Sequence, residues 1–411
     1  MITRRGIGRL TGAAGIGLAM PATLRAQGAR EVVFAMCSPI SGPWAKLGEL
    51  SVLGARFAVD EINAGGGIRA LGGAPVRLAV VDAGDSPEKS KTAAQRLLAA
   101  EPNLVGGAGA YVSSFTLAVT EVTERAGVPW FTLSYADSIT NRGFRYVYQT
   151  SPTADDQAAS ALPTLLRLGQ GATGRAPQTV GIVMDNTASP VSFTRGLRAG
   201  GAAQLGVRIV VDETFTPPLA DAGPVMQRVR AARPDMLLLL PTSVPDIKLT
   251  LEKLNEIGLG RGRLPIVSNG GPMGSPDLLR LMGPDLLEGL MFIVAGWGMK
   301  GQEELIARFR ERTGEPWITQ DSLSNYGHMM ILREAVERAG TIDRERVNAT
   351  IRTMDVREGS AATSFAGGRV AFDERGRRVG APLVIVQWQG GVPRSVFPTE
   401  TAMAQANWPR R

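Results

Sequence analysis

Two short apolar runs, separated by a stretch with helical spacing, constrain the fold of this chain more than any other feature. The first run, 104–107, leads into a Gly-Ala-Gly turn, and Ser113 and Ser114 then stand where a helix should begin. The second run, 128–133, is rich in β-forming residues and ends in polar and small residues. The order strand, helix, strand predicts two neighbouring parallel strands whose carboxyl ends meet at one edge of a sheet.

The same edge is where we expect a ligand. Open α/β sheets bind ligands in the crevice at the carboxyl ends of their strands, and the first turn of a helix offers unpaired N–H groups to an anion. Serine hydroxyls add hydrogen-bond donors without filling the space. The residues of these two strand ends that we expect to contact the ligand are Tyr111, Ser113, Ser114, Tyr135, Ala136, Asp137 and Ser138.

The alternation of strand and helix continues on both sides of this stretch. It begins with a strand at 31–40, restarts after an extended crossing at 146–152, and runs through a second series from 180 to 268. The residues 236–240, MLLLL, show no polar alternation, which is typical of a parallel strand covered on both faces. The pattern predicts an α/β protein with two doubly wound lobes, and residues 370–373 and 383–388 are expected to pair as a closing hairpin.

Composition excludes several classes of function. The formal net charge is +7, but residues 1–27 contain four arginines and no acid, which leaves only +3 on the rest of the chain. Basic and acidic residues alternate there, so nucleic acid binding is not expected. One cysteine, Cys37, excludes an intrachain disulfide framework, and one histidine, His328, excludes the common histidine-based metal and catalytic sites.

Residues 1–27 have the organisation of an export signal. Arg4 and Arg5 precede a small-residue apolar run at 12–20, and Leu24-Arg25-Ala26 stands before a polar stretch. This order is typical of a twin-arginine signal peptide, with cleavage near Gln27. We therefore expect a soluble periplasmic protein; a disordered basic tail is the alternative.

Motifs for enzymatic chemistry are missing from the sequence. No G-x-S-x-G elbow occurs, and the turn at 106–111 does not have the G-x-G-x-x-G spacing. We expect no catalytic residues, no metal site and no cofactor. Cys37 is expected to pack at the end of the first strand, and His328 to be a partly buried helix residue.

Several short motifs follow one another in order along almost the whole mature chain. They are SGPWAKLG (41–48), GARFAVDEIN (54–63), GGGI (65–68), VDAGD (81–85), the serines at 113–114, AGVP (126–129), Tyr326 and FDERG (372–376). In this order and spacing the chain resembles the periplasmic leucine/isoleucine/valine-binding protein family of ABC importers.

This resemblance implies a type I periplasmic binding protein. Its two Rossmann-like lobes would be joined by three crossover segments, with 28–150 plus 296–376 in the N-terminal lobe and 151–295 plus 377–411 in the C-terminal lobe. Such proteins hold the solute carboxylate at positions that match Ser113, Ser114, Ala136 and Ser138. Trp44 and Tyr326 would line the same cleft, with plain core packing as the alternative.

The stretches of the second lobe that would face the solute lack the acid and tyrosines of amino-acid-binding members. They are 186–189, 241–244 and 269–271, and they supply Ser189, Ser243 and Gly270 as candidate contacts. A buried ammonium group needs a partner. Either Asp137 or Asp185 supplies that charge, or the solute has no α-amino group.

The solute class therefore stays open in the sequence. A branched-chain or other amino acid, an aromatic or short-chain carboxylate and an amide are all compatible, and a carboxylate-bearing or amide-like solute is slightly favoured. Trp44, Tyr111 and Phe215 are possible walls for an aromatic ring. We expect this protein to be a monomer and its partner to be an ABC permease of the inner membrane. The alternative is a sensor that passes solute occupancy to a signalling receptor.

Overall fold

The structure is a computed structural model and describes residues 31–408. The predicted signal peptide, 1–27, lies outside the described residues. No helix within 31–408 is long and apolar enough to cross a membrane.

The first sheet has five parallel strands in the order β2-β1-β3-β4-β5. Each strand is followed by a helix or a short helical turn on one of its faces, as expected for a doubly wound lobe. The strands are β1 (Val32–Ser38), β2 (Val76–Asp82), β3 (Leu104–Gly109), β4 (Trp130–Thr132) and β5 (Val147–Gln149), and the helices are α1 (Ala45–Ala64), α2 (Pro87–Ala100) and α3 (Ser113–Arg125).

The second sheet has seven strands in the order β12-β11-β10-β9-β8-β6-β7. Its strands are β6 (Thr179–Asp185), β7 (Arg208–Phe215), β8 (Met236–Leu240), β9 (Ile266–Asn269), β10 (Met291–Val294), β11 (Val384–Gln389) and β12 (Val392–Phe397). Helix α4 (Ala154–Thr173) precedes the first of these strands, and the helices between them are α5 (Ala188–Gly196), α6 (Ala202–Gln204), α7 (Gly223–Ala232), α8 (Val244–Glu256), α9 (Pro276–Met282) and α10 (Pro284–Leu287).

The chain passes between the two sheets three times: after β5, after β10 and before β11. The segment after β10 contains α11 (Glu303–Thr313), α12 (Gln320–Ala339), α13 (Arg344–Thr353) and α14 (Gly359–Thr363). Helix α12 packs along α1 and shares the hydrophobic core of the first sheet. The predicted fold class is therefore confirmed, whereas the exact lobe boundaries stay a prediction.

The predicted strand, helix, strand unit at 104–133 is present. Helix α3 begins at Ser113, and β3 and β4 are parallel neighbours with Gly107 opposite Trp130. A Cβ atom on Gly107 would lie 2.4 Å from the Trp130 ring, so glycine at this position leaves the room that the ring occupies.

The predicted closing hairpin is wrong. Strand β11 pairs with β12, not with residues 370–373, because Gly390 and Gly391 both have positive φ angles and form a two-residue turn between the strands. Val370 and Phe372 instead form isolated bridges with Val356 and Arg378.

Candidate functional site

A narrow cavity lies between the two lobes, at the carboxyl ends of the strands of both sheets. Its volume is about 30 Å³, which is room for about one water molecule. A solute of amino-acid size therefore needs the lobes to part and these side chains to move. The lining residues are Tyr111, Val112, Ser113, Leu133, Tyr135, Ser189, Thr242, Asn269, Gly270, Gly271, Pro272, Gln320 and Asp321.

A larger hollow of about 780 Å³ lies on the second lobe, at the amino ends of β8 and β9. Its polar side chains are all exposed, including three arginines at positions 230, 233 and 263. Because ligands of such sheets bind at the opposite, carboxyl edge, the narrow cavity is the better candidate site.

Ser113 joins the two strand ends of the first lobe. Its Oγ accepts hydrogen bonds from the backbone amides of Tyr135 and Ala136, each at 3.2 Å. Those amides are therefore not available to a solute, which corrects part of the predicted role of Ala136. Ser113 itself lines the cavity at the first turn of α3, and its hydroxyl keeps one hydrogen-bond donor that a solute can use.

Trp44 connects the lobes from just outside the cavity. Its indole Nε1 donates to Thr242 Oγ1 at 3.4 Å, and its carbonyl oxygen accepts from the Tyr111 hydroxyl at 3.1 Å. The ring packs edge-on against Phe115, with centroids 5.1 Å apart. Trp44 is buried and does not line the cavity. The prediction that it forms a wall of the binding site is therefore wrong, and its side chain makes a contact between the lobes instead.

Asp185 organises the loops at the ends of β6 and β8. One carboxylate oxygen accepts from the amide and hydroxyl of Thr187, and the other from the amide and hydroxyl of Thr242. Burial raises the pKa of Asp185 despite these four donors. Because its oxygens are already paired, Asp185 is not the partner for a solute ammonium group.

The second lobe contributes small and amide residues to the cavity. Asn269 donates through Nδ2 to Gln157 Oε1 at 2.7 Å, and Ser189 donates to Asn269 Oδ1 at 3.4 Å. Gly270, with φ of 109°, follows Asn269 and lies against the Tyr135 ring. Ser189 and Gly270 therefore stand where the sequence predicts them.

Gln320 connects the start of α12 to both lobes. Its Oε1 accepts from the Tyr135 hydroxyl and from the Ala295 amide, the latter at 2.7 Å. Burial raises the pKa of Tyr135, so its hydroxyl remains a donor. Sequence reasoning missed Gln320 because a residue at a helix start shows no burial pattern of its own.

Asp321, the second residue of α12, is the acid of the cavity. Its side chain is 1% exposed, and neither carboxylate oxygen has a hydrogen-bond partner among residues 31–408. Burial raises its pKa to about 7. Sequence reasoning also missed this residue, because an acid in the first turn of a helix is common wherever it favours the helix dipole.

Three of the predicted residues lie beside the cavity without lining it. Ser114 Oγ accepts from the Ala188 amide of the second lobe at 3.1 Å. Ser243 is the N-cap of α8 and accepts from the Asp246 amide. Asp137 accepts from the Asp155 amide at 3.2 Å and lies 3.7 Å from the Arg195 guanidinium, so it too has partners.

Three predictions about individual side chains are wrong. Ser138 is exposed and away from the cavity lining. Tyr326 is buried against Phe57 in the first core, with ring centroids 5.3 Å apart, and its hydroxyl donates to Glu61 at 2.6 Å. This face of α12 packs on α1 rather than on the cleft. Phe215 is partly buried, packs against the core of the second lobe and does not line the cavity.

Cys37 and His328 are packing residues, as predicted from the sequence. Cys37 is buried in β1, and His328 lies in α12 between Thr150 and Asn325. His328 is fully buried rather than partly so. Within 31–408 no group of three or more His, Cys, Asp or Glu side chains could hold a metal ion.

Comparison with known sequences agrees with this geometry. A family model described as periplasmic binding protein matches residues 31–392. Leu/Ile/Val-binding protein homolog 8 of Brucella melitensis is 27% identical over 414 residues, which cover 97% of this chain and 98% of the relative. Homolog 7 of Brucella abortus is 28% identical over 382 residues, with coverages of 90% and 92%.

Solved structures show the same fold. A leucine-binding protein of Thermotoga maritima superposes with a TM-score of 0.74 at 19% identity, covering 89% of this chain and 97% of that one. A solute-binding protein of an ABC transporter from R. palustris, in complex with benzoate, gives a TM-score of 0.75 at 15% identity, with coverages of 92% and 97%.

Proposed function

The chain belongs to the periplasmic binding protein family, and we propose that it is the solute-binding subunit of an ABC importer. It would bind a small carboxylate-bearing or amino-acid-like solute in the interlobe cavity and present it to a permease of the inner membrane. Proteins of this family bind solutes and are not enzymes. Family membership also implies a location outside the cytoplasm; a monomeric state and export by the predicted twin-arginine signal remain part of the proposal.

One observation supports this function above the others: both lobes line a polar cavity, and hydrogen bonds outside this cavity also join the two lobes. The hydrogen bonds from Trp44 to Thr242 and from the Ala188 amide to Ser114 join the two lobes, so parting of the lobes would break them. A solute that contacts both lobes favours the closed form by its differential affinity. A permease that reads the closed shape would then receive loaded protein.

The first lobe offers the features that hold a carboxylate. The Ser113 hydroxyl and the first turn of α3 lie at one side of the cavity. Relatives named as Leu/Ile/Val-binding protein homologs, and structural neighbours that bind leucine or benzoate, support a solute with a carboxylate.

A thermal-shift screen of amino acids, aromatic acids, short-chain acids, amides and polyols tests the proposal. For the solute that binds, we expect the double change Ser113→Ala and Ser114→Ala to weaken binding by about 1–3 kcal/mol in titration calorimetry. The exposed Ser138→Ala is the matched control and should leave the affinity unchanged. Equal affinity of the double variant and the wild type would contradict the proposed site.

A further inference from the structure

We propose that Asp321 binds a cationic nitrogen of the solute, so that this cleft selects amine-bearing solutes and rejects simple carboxylates. The inference rests on the proposed function, because it concerns the solute of the same cavity. Asp321 lies in the first turn of α12, in the segment that follows β10, so the charge recognition is assigned to this turn and not to the loops of the second lobe.

The charge balance of the cavity supports this assignment. Its lining contains one acid, Asp321, and no lysine, arginine or histidine. Asp185, an acid that does not line the cavity, is already paired with Thr187 and Thr242. When Asp321 is ionised, a solute with only a carboxylate would bring a second negative charge into a low-dielectric space whose lining holds no cation. A solute with an ammonium group instead supplies the missing partner.

The surroundings of Asp321 do not explain it as a helix-capping residue. Thr319 is the N-cap of α12, and its Oγ1 already accepts from the Ser322 amide at 3.2 Å. An acid that only favours the helix dipole can stay in water, whereas both oxygens of Asp321 are buried and unpartnered among the described residues. Gly271 keeps the space in front of the carboxylate open, since a Cβ atom there would lie 2.3 Å from Oδ2.

Two triads of molecules with matched carbon skeletons test the charge selection. The first triad is leucine, 4-methylpentanoate and 3-methylbutylamine, and the second is phenylalanine, 3-phenylpropanoate and 2-phenylethylamine. Titration calorimetry of the full chain should show at least tenfold tighter binding of an amine-bearing member than of the deaminated acid of the same triad. Tighter binding of the acid, or equal binding, would overturn the inference.

The variant Asp321→Asn should weaken the amine-bearing member at least tenfold, while Asp156→Asn, which removes the same charge at an exposed position, should leave it within twofold. Without solute, Asp321→Asn should also raise the melting temperature, because a buried unpaired charge is removed; a purely structural role would lower it.

The experiment separates this inference from the proposed function. If Ser113→Ala weakens solute binding and Asp321→Asn does not, the charge assignment fails and the binding cleft stands. If neither variant changes the affinity of a solute that binds the wild type, the solute lies elsewhere and the proposed site fails as well.

Discussion

The backbone of Gly271 lies so close to the Asp321 carboxylate that a Cβ atom on the glycine would stand 2.3 Å from Oδ2. Gly271→Ala should therefore push the carboxylate out of its place in the cavity and weaken solute binding about tenfold. Melting should remain cooperative, because the contact involves a side chain that can rotate. Titration calorimetry and a thermal melt measure the two effects.

Gly196→Ala is the control for this change. Gly196 lies in α5, and a Cβ atom there would meet no other atom within 4 Å. We expect a gain of about 0.5–1 kcal/mol in stability from the better helix former, with unchanged affinity. If Gly271→Ala binds solute like Gly196→Ala, the contact with Asp321 does not matter for binding.

The hydrogen bond from Trp44 to Thr242 should matter for closure more than for folding. Trp44→Phe keeps an aromatic ring next to Phe115 and removes the Nε1 donor together with part of the buried indole ring. We expect a few-fold loss of solute affinity, because the bond forms between lobes, and only a modest loss in the free energy of unfolding from the smaller buried ring.

Thr242→Val changes the same contact from the other side and should be more damaging. Asp185 loses a hydroxyl donor while it stays buried, so we expect about 1–3 kcal/mol of destabilisation in urea unfolding. Equal effects of Trp44→Phe and Thr242→Val on stability would argue against this division of roles.

Local features made much of the fold predictable. Apolar runs and helix starts are properties of neighbouring residues, so the unit around β3, α3 and β4 could be located, and Ser113 with it. The loops after β6 and β9 followed from the resemblance to the leucine/isoleucine/valine-binding family, which led to Ser189 and Gly270. Strand β12 was not predicted because it contains Pro393, and proline is rare in strands. Proline is tolerated here because β12 lies at the edge of the sheet.

The remaining features depend on how distant segments dock. Tyr326 and Asp321 lie on one helix five residues apart, yet one packs on α1 and the other faces the cavity. Nothing in the helical pattern distinguishes these two faces, because α12 is buried on nearly every side. The cleft acid could therefore be found only once α12 had been placed between the lobes.

The role of Tyr326 as a packing residue has its own test. Tyr326→Phe keeps the contact with Phe57 and removes the hydrogen bond to Glu61. We expect a loss of about 1 kcal/mol in the free energy of unfolding and no change in solute affinity. A clear loss of affinity would restore Tyr326 to the cleft.

Two buried groups on α12 should make stability depend on pH in opposite directions. Burial lowers the pKa of His328 to about 3, whereas burial raises the pKa of Asp321 to about 7. The unfolded chain protonates His328 below about pH 6.5 while the folded chain does not, so His328 costs stability as the pH falls. The folded chain protonates Asp321 first, so Asp321 adds stability over nearly the same range.

In the wild type these two contributions should largely cancel between pH 7.5 and 5, each being on the order of 2 kcal/mol. Asp321→Asn leaves His328 alone, so the variant should lose stability relative to the wild type as the pH falls. His328→Gln can keep a polar contact with Thr150 and should gain relative stability over the same range. Urea unfolding of the three proteins at pH 7.5 and 5 measures the differences in stability. Titratable groups that all three proteins share contribute equally and cancel when a variant is compared with the wild type. Parallel pH dependence of all three would show that neither group is buried as described.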